Sequence, residues 1–411
     1  MLTLDKIYHA SYVLKDVIRR TELIHAPNIN KKCNIFLKPE NLQLTGSFKV
    51  RGSYYKISQL SEEEKAKGVI ACSAGNHAQG VAFSCNKLQI MGSIYMPVTT
   101  PKQKIEQVRM FGKEYIDIVL VGDTFDAANS AAIEYAKKSG KTFIPPFDDE
   151  KIIEGQGTIG HEILSQSKQP LDYIFVPIGG GGLASGLGSY IKQMSPSTKI
   201  IGVEPAGAPC MKVAIETGEV VELEHIDKFI DGAAVKKAGQ KTYEICKEVL
   251  DDIITVPEGA VCTTIIQLYN KSAIVVEPAG ALSIAALRFY AEEIKGKNIA
   301  CIISGSNNDI TRMEEIREKS LIYEGLKHYF IVSFPQKSGA LLSFIRDIIG
   351  PTDNLVYIQY IRKTNKEEGP ALIGIEVASK DDFKALMRRM DAHNITYEYI
   401  NENNKLFEIL I

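Results

Sequence analysis

The stretch Ile174-Phe175-Val176-Pro177-Ile178-Gly179-Gly180-Gly181-Gly182-Leu183-Ala184-Ser185-Gly186 reads as an apolar strand, a glycine turn and the start of a helix. Four consecutive glycines exceed what a tight turn requires. Lacking Cβ atoms, they leave backbone N–H groups free to converge on an anion at the helix N-terminus. The plainer alternative is a turn that merely lets strand and helix approach. Neither G-x-G-x-x-G nor a phosphate loop ending in Gly-Lys-Ser/Thr is present, so a dinucleotide or a nucleoside triphosphate is disfavoured.

The same grammar extends on both sides. Upstream, strand-like runs at 34–38, 68–72, 91–96, 117–121 and 142–144 alternate with helical patterns at about 5–20, 78–86 and 124–138. Thr100 reads as a helix cap, with Pro101 at the first helical position. Downstream, strands at 173–178, 199–203, 252–256 and 298–303 are separated by helices that include 155–168, 242–250 and 279–294. Strands alternating with helices imply two α/β halves with mainly parallel, doubly wound sheets, and ligands at the strand C-termini.

Three polar segments fall on that ligand edge. Leu44-Thr45-Gly46-Ser47-Phe48-Lys49-Val50-Arg51-Gly52 places Lys49 where a turn becomes a helix, with Ser47 as its N-cap. The positive end of a helix disfavours protonation of a nearby amine and suits it to nucleophilic chemistry. The bland reading is a solvated surface lysine. Ser73-Ala74-Gly75-Asn76-His77 could hold a carboxylate, or could simply cap a helix. Ser304-Gly305-Ser306-Asn307-Asn308 could be an ordinary polar turn.

From residue 326 the pattern changes. Strand 328–334, helix 339–349, strands 354–361 and 371–377, helix 381–390 and strand 396–400 give βαββαβ, the ferredoxin-like order of small sensing domains. Residues 311–324 read as a charged link.

Bulk properties exclude several classes. The 411 residues are 45% hydrophobic with a net charge of −2, which gives no electrostatic reason to expect nucleic acid or an anionic membrane. No apolar run reaches the roughly 18 residues needed to span a bilayer, and no signal-peptide pattern opens the chain. Seven scattered cysteines without a CxxC pair fit a reduced, cytoplasmic setting. The histidines form no ligand cluster, so no metal site is expected.

Taken together, Ser47-Phe48-Lys49-Val50-Arg51-Gly52, Ser73-Ala74-Gly75-Asn76-His77-Ala78-Gln79-Gly80, the tetraglycine loop and Ser304-Gly305-Ser306-Asn307 resemble the fold-type II (tryptophan synthase β-like) pyridoxal-phosphate enzymes. Within these the chain is similar to the threonine dehydratases (threonine ammonia-lyases). Glu154-Gly155-Gln156-Gly157-Thr158, Val203-Glu204-Pro205 and Val276-Glu277-Pro278-Ala279-Gly280 are further matches. The tail resembles the single ACT-like domain of the short biosynthetic form.

The resemblance implies a two-lobed α/β catalytic domain over residues 1–320, with a small lobe at about 40–145, and an α+β ACT-like regulatory domain over 326–411. It implies pyridoxal 5′-phosphate as cofactor, carried on Lys49. Asn76 would bind the ring 3′-oxygen, and Gly179, Gly180, Gly181, Gly182 and Leu183 the phosphate. Ser304 would face the ring nitrogen, where a hydroxyl sustains a weaker electron sink than a carboxylate does. Ser73, Ala74, Gly75, Asn76 and His77 would take the substrate carboxylate, with His77 more structural than catalytic. Lys49 would also be the general base in β-elimination of L-threonine to 2-oxobutyrate and ammonia, the first step of isoleucine biosynthesis. Isoleucine and valine are the implied effectors and a homotetramer the implied assembly. Arg51 is expected to support the loop or to pair with an acid rather than to touch substrate. Glu204 matches a cation site of relatives, although Cys210 stands where some carry a carboxylate. The alternatives are an L-serine dehydratase or racemase on the same scaffold, or a non-catalytic amino-acid sensor. Related racemases place a serine before Gly-Asn-His; this chain has Ala74.

Overall fold

The structure, a computed structural model, describes residues 1–360, 367–403 and 407. It divides into two units, Met1–Asp309 and Ile310–Ile411.

The first unit holds two sheets. The larger runs Ile24–His25, Asn34–Pro39, Asn298–Ile303, Tyr173–Pro177, Lys199–Pro205 and Asp252–Val256, parallel except for the first pair. The smaller is fully parallel, in the order Ile116–Leu120, Gly92–Met96, Val69–Cys72, Thr142–Phe143. Parallel sheets are covered on both faces, so their strands read as unbroken apolar runs; every residue of Tyr173–Pro177 and of Val69–Cys72 is buried. One core lies against the large sheet around Ile174, Leu187, Ile191 and Ile302, another against the small sheet around Val69, Val81, Ile94 and Val108.

Strand Asn34–Pro39 pairs with Asn298–Ile303, from Asn34↔Asn298 to Pro39↔Ile303. It thereby places the segment leading to Lys49 beside the segment that ends in Ser304.

Several local expectations are corrected. The first helix is Leu4–Leu14 rather than 5–20. Pro101 sits at the N-cap, with extended ψ of 138°, and the Thr100 hydroxyl donates to the Pro97 carbonyl at 2.7 Å instead of capping Lys102–Gly112. Ser47 does not cap the Lys49 helix: Phe48 holds that position in helical conformation, and Ser47 forms an isolated bridge with Gly305. The helix expected over 279–294 ends at Ala285 and tightens into Ala286–Phe289. Beyond it Tyr290 turns edge-on to Phe175 at 5.5 Å.

The second unit has the expected βαββαβ order, with strands arranged Asn354–Tyr360, Glu368–Glu376, Lys327–Pro335, Tyr397–Tyr399, all antiparallel. Helices Ala340–Ile348 and Lys380–Ala392 cover a core of Phe330, Phe344, Ile373, Leu386 and Met390. Residue 361, read as a strand end, and 408–411, read as the end of this domain, lie outside the described residues. The expected link is instead the helix Met313–Tyr323, which buries Ile316 and Ser320. Arg317 and Lys327 pair with Glu376, and Lys327 also with Glu318. Among the described residues, no helix is long and apolar enough to cross a membrane.

Candidate active site

Lys49 is the first residue of helix Lys49–Ser58. Its Nζ donates to the Pro146 carbonyl at 2.8 Å and lies 5.3 Å from the centre of the Phe48 ring and 6.0 Å from that of Phe147. Although the residue is partly exposed, the amine is enclosed enough that desolvation pushes it down to about 8, against an opposing pull from Glu277. Among the described residues no carboxylate forms an ion pair with it.

Phe147 also connects this amine to the glycine loop. A Cβ added at Gly180 would lie 2.3 Å from the Phe147 ring, and one at Gly182 would lie 3.0 Å from the Phe147 Cβ. Gly181 adopts φ +95°, and a Cβ there would meet Met211 and Thr242. The N–H groups of Gly180, Gly181, Gly182 and Leu183 donate to no carbonyl or side chain among the described residues. The loop is braced from behind. Thr242 Oγ1 donates to the Gly180 carbonyl at 2.5 Å, and Asp148 accepts the N–H groups of Gln240, Lys241 and Thr242.

The other two segments meet beside Lys49. The Phe48 N–H donates to the Ser304 carbonyl at 3.1 Å, and Ser304 is buried at the end of strand Asn298–Ile303. The Asn76 amide donates to both Glu277 carboxylate oxygens, at 2.8 and 2.9 Å. Glu277 in turn accepts the Asn307 N–H at 3.2 Å, and its own N–H donates to the Gly305 carbonyl at 3.1 Å. Burial pushes Glu277 up to about 7, against the pull of the Asn76 bonds. Sequence reading matched the Val-Glu-Pro motif without seeing this role; the signal was an acid directly before the proline that opens helix Pro278–Ala285.

Ser73 Oγ accepts the Gly75 N–H at 3.2 Å, and the N–H groups of Asn76, His77 and Ala78 at the start of helix Asn76–Leu88 have no acceptor among the described residues. His77 is buried, with Nε2 2.9 Å from the Ile144 carbonyl, and burial pushes it down to about 3. Its side chain is therefore a neutral strut. Ala74 is partly buried against the small-sheet core.

Arg51 and Glu204 each have protein partners. Arg51 is fully buried and paired with Glu40 and Glu162. Glu204 accepts the N–H groups of Met211 and Lys212, each at 2.8 Å, and so caps helix Cys210–Thr217. Among the described residues no group of three or more His, Cys, Asp or Glu side chains is arranged to hold a metal.

The site fits a phosphorylated pyridine aldehyde on three observations: the unpaired N–H cradle that Cβ atoms would fill, the desolvated amine that shares Phe147 with it, and the buried Asn76 Oδ1 and Ser47 Oγ, which have no partner among the described residues.

Residues 14–305 match the profile described as pyridoxal-phosphate dependent enzyme, and residues 318–410 the one described as C-terminal regulatory domain of threonine dehydratase. Over all of its length, and 99% of the relative's, the chain is 54% identical to the biosynthetic L-threonine dehydratase IlvA of Halalkalibacterium halodurans. It is 50% identical to that of Bacillus subtilis, covering 100% of this chain and 98% of the relative. Among solved structures it is similar to the processed form of threonine deaminase isoform 2 from Solanum lycopersicum, with a TM-score of 0.74, 40% identity, and 78% and 89% of the two chains covered. A serine racemase from Dictyostelium discoideum is similar with a TM-score of 0.69 and 30% identity, covering 75% of this chain and 99% of that one.

Proposed function

The chain belongs to the pyridoxal-phosphate-dependent enzymes, in the family of biosynthetic L-threonine dehydratases, and from that membership we propose that it eliminates water from L-threonine to give 2-oxobutyrate and ammonia. The observation that carries this reading is the desolvated Lys49 amine, which among the described residues has no carboxylate partner and shares Phe147 with a glycine cradle whose N–H groups are free there.

In this reading Gly179, Gly180, Gly181, Gly182 and Leu183 hold the phosphate, Asn76 the ring oxygen and Ser304 the ring nitrogen, while Lys49 carries the cofactor between turnovers. The cofactor, when bound, supplies the sink for the electron pair released at Cα. The N–H groups of Asn76, His77 and Ala78, with the Ser73 hydroxyl, receive the substrate carboxylate. Lys49 Nζ, neutral above about pH 8, removes the Cα proton. The Pro146 carbonyl holds that amine in place while it is free. Loss of the β-hydroxyl leaves an enamine that hydrolyses to the oxo acid and ammonia.

The second unit is read as a sensor for isoleucine and valine. Support comes from the matched regulatory profile and from the turn at Gly339, with φ +85°, that opens helix Ala340–Ile348. A cytoplasmic homotetramer is the assembly that fits; seven cysteines, all buried and unbridged, support the reduced location. Ala74 offers no hydroxyl for a second proton transfer, which favours elimination over the racemase reading.

The test is 2-oxo acid release from L-threonine and L-serine, with and without isoleucine and valine. Threonine should be consumed, D-threonine should not accumulate, and isoleucine should slow the reaction. No oxo acid from threonine would overturn the assignment. Indifference to both effectors would overturn the sensor reading alone.

A further inference from the structure

Beneath the Lys49 helix lies a closed group of four charged side chains that the reaction itself does not use. Arg51 Nε and Nη2 donate to the two oxygens of Glu40 at 2.7 and 2.8 Å. Its Nη1 and Nη2 donate to the two oxygens of Glu162 at 2.7 and 2.9 Å, and Nη1 also to Thr158 Oγ1 at 3.1 Å. Lys38 Nζ completes the group, donating to Glu162 at 2.5 Å and to the Thr21 carbonyl at 2.6 Å. Lys38, Glu40 and Arg51 are 0% exposed. Two cations face two carboxylates, so the group carries no net charge. The Arg51 fork is held by both acids at once, a geometry that an ammonium cannot reproduce.

The elements joined matter more than the pairing. Lys38 lies on strand Asn34–Pro39, opposite Ile302 of the strand that ends at Ser304, and Glu40 follows that strand directly. Glu162 and Thr158 lie on helix Glu150–Gln166, the element that follows Pro146, to which Lys49 itself is bonded. Arg51 is two positions beyond Lys49, so the two project from different faces of their helix. One face carries the amine and the other is clamped to helix Glu150–Gln166 and to Glu40, at the end of the strand that pairs with Asn298–Ile303.

We propose that Arg51 is a positioning residue, and that the Lys38–Glu40–Arg51–Glu162 group fixes the register between Lys49 and Ser304, the two side chains that address one cofactor from different ends. The proposal rests on the cofactor reading above. Displacements of about 1 Å at such a centre cost on the order of a hundredfold in rate. A clamp buried two residues from the amine is placed to limit displacements of that size.

The experiment compares holoenzyme carrying Arg51→Lys or Glu162→Gln with the unaltered protein. Its readouts are kcat, KM for threonine, thermal midpoint, and the visible absorbance of the bound cofactor as a function of pH. Arg51→Lys keeps the charge and loses the fork. Its kcat should fall about a hundredfold with KM changed less than about threefold, and the midpoint pH of the cofactor absorbance should move. Glu162→Gln leaves the fork on Glu40 and should show the same pattern at about a tenth of the size. A lowered thermal midpoint with kcat and absorbance profile unchanged would make the group purely structural and overturn the proposal. If Arg51→Lys does not fold, Glu162→Gln decides alone by the same criterion. Loss of all cofactor absorbance in the unaltered protein would instead defeat the cofactor reading on which this rests.

Discussion

Lys38 and Lys49 stand on neighbouring elements of one chain, and the regions around them treat the same side chain in opposite ways. Lys38 is sealed from solvent and given a carboxylate and a carbonyl. Lys49 is given one carbonyl and two aromatic rings, and no carboxylate among the described residues. Burial pushes both amines down; at Lys38 the charges of Glu162 and Glu40 work against it, while at Lys49 only the more distant Glu277 does. A buried lysine is therefore inert or reactive according to what faces it. Burial alone decides neither outcome.

The comparison can be broken most directly at Lys49. Lys49→Ala should lower threonine turnover by about a thousandfold or more, the scale of a lost general base. The thermal midpoint should change little, since among the described residues no ion pair is lost. Retention of substantial oxo-acid release by purified Lys49→Ala would remove this residue from the mechanism.

Lys38→Met should strike stability first, with a loss of rate no larger than that of Glu162→Gln. Removing one partner of a buried ion-paired group costs about 3–5 kcal/mol, so a large drop in unfolding free energy by denaturant titration is expected, with the cofactor absorbance still present. A stable Lys38→Met protein without bound cofactor would erase the distinction between the two lysines.

The smallest effect is in the pH dependence of stability of protein stripped of cofactor. The folded Lys49 amine titrates near 8 and the unfolded one near 10.5. Between those values the unfolded chain holds more protons, so stability should rise as pH rises through that window. Lys49→Met should flatten part of that rise; an identical slope in both proteins would show that the amine is not desolvated.

Much of this was legible in residue order. The glycine run after an apolar strand, Lys49 at a helix start and the βαββαβ tail all depend on neighbours in sequence, where periodicity and turn chemistry act. What escaped depends on distant partners. Nothing near strand Asn34–Pro39 says that it pairs with Asn298–Ile303. Nothing near Glu40 or Glu162 says that Arg51 lies between them. Glu277 reads as an acid before a proline until Asn76 is brought against it. Ser47 looked like a cap because its type fits one, but its backbone is committed to Gly305. The charged stretch before the tail hid a helix because only Ile316 and Ser320 of Met313–Tyr323 are buried, too few for a clear apolar face.

The pairing of Asn34–Pro39 with Asn298–Ile303 also governs when this protein becomes competent during synthesis. The two strands are separated by 264 positions, so the lysine leaves the ribosome long before its neighbouring strand exists. Closing so long a loop comes late, after the local units have formed. Until then the edge of Asn34–Pro39 is open to other strands in the crowded cell, a hazard that grows with each second of translation. The place where cofactor capture is completed is therefore also the last part of the catalytic unit to leave the list of aggregation risks.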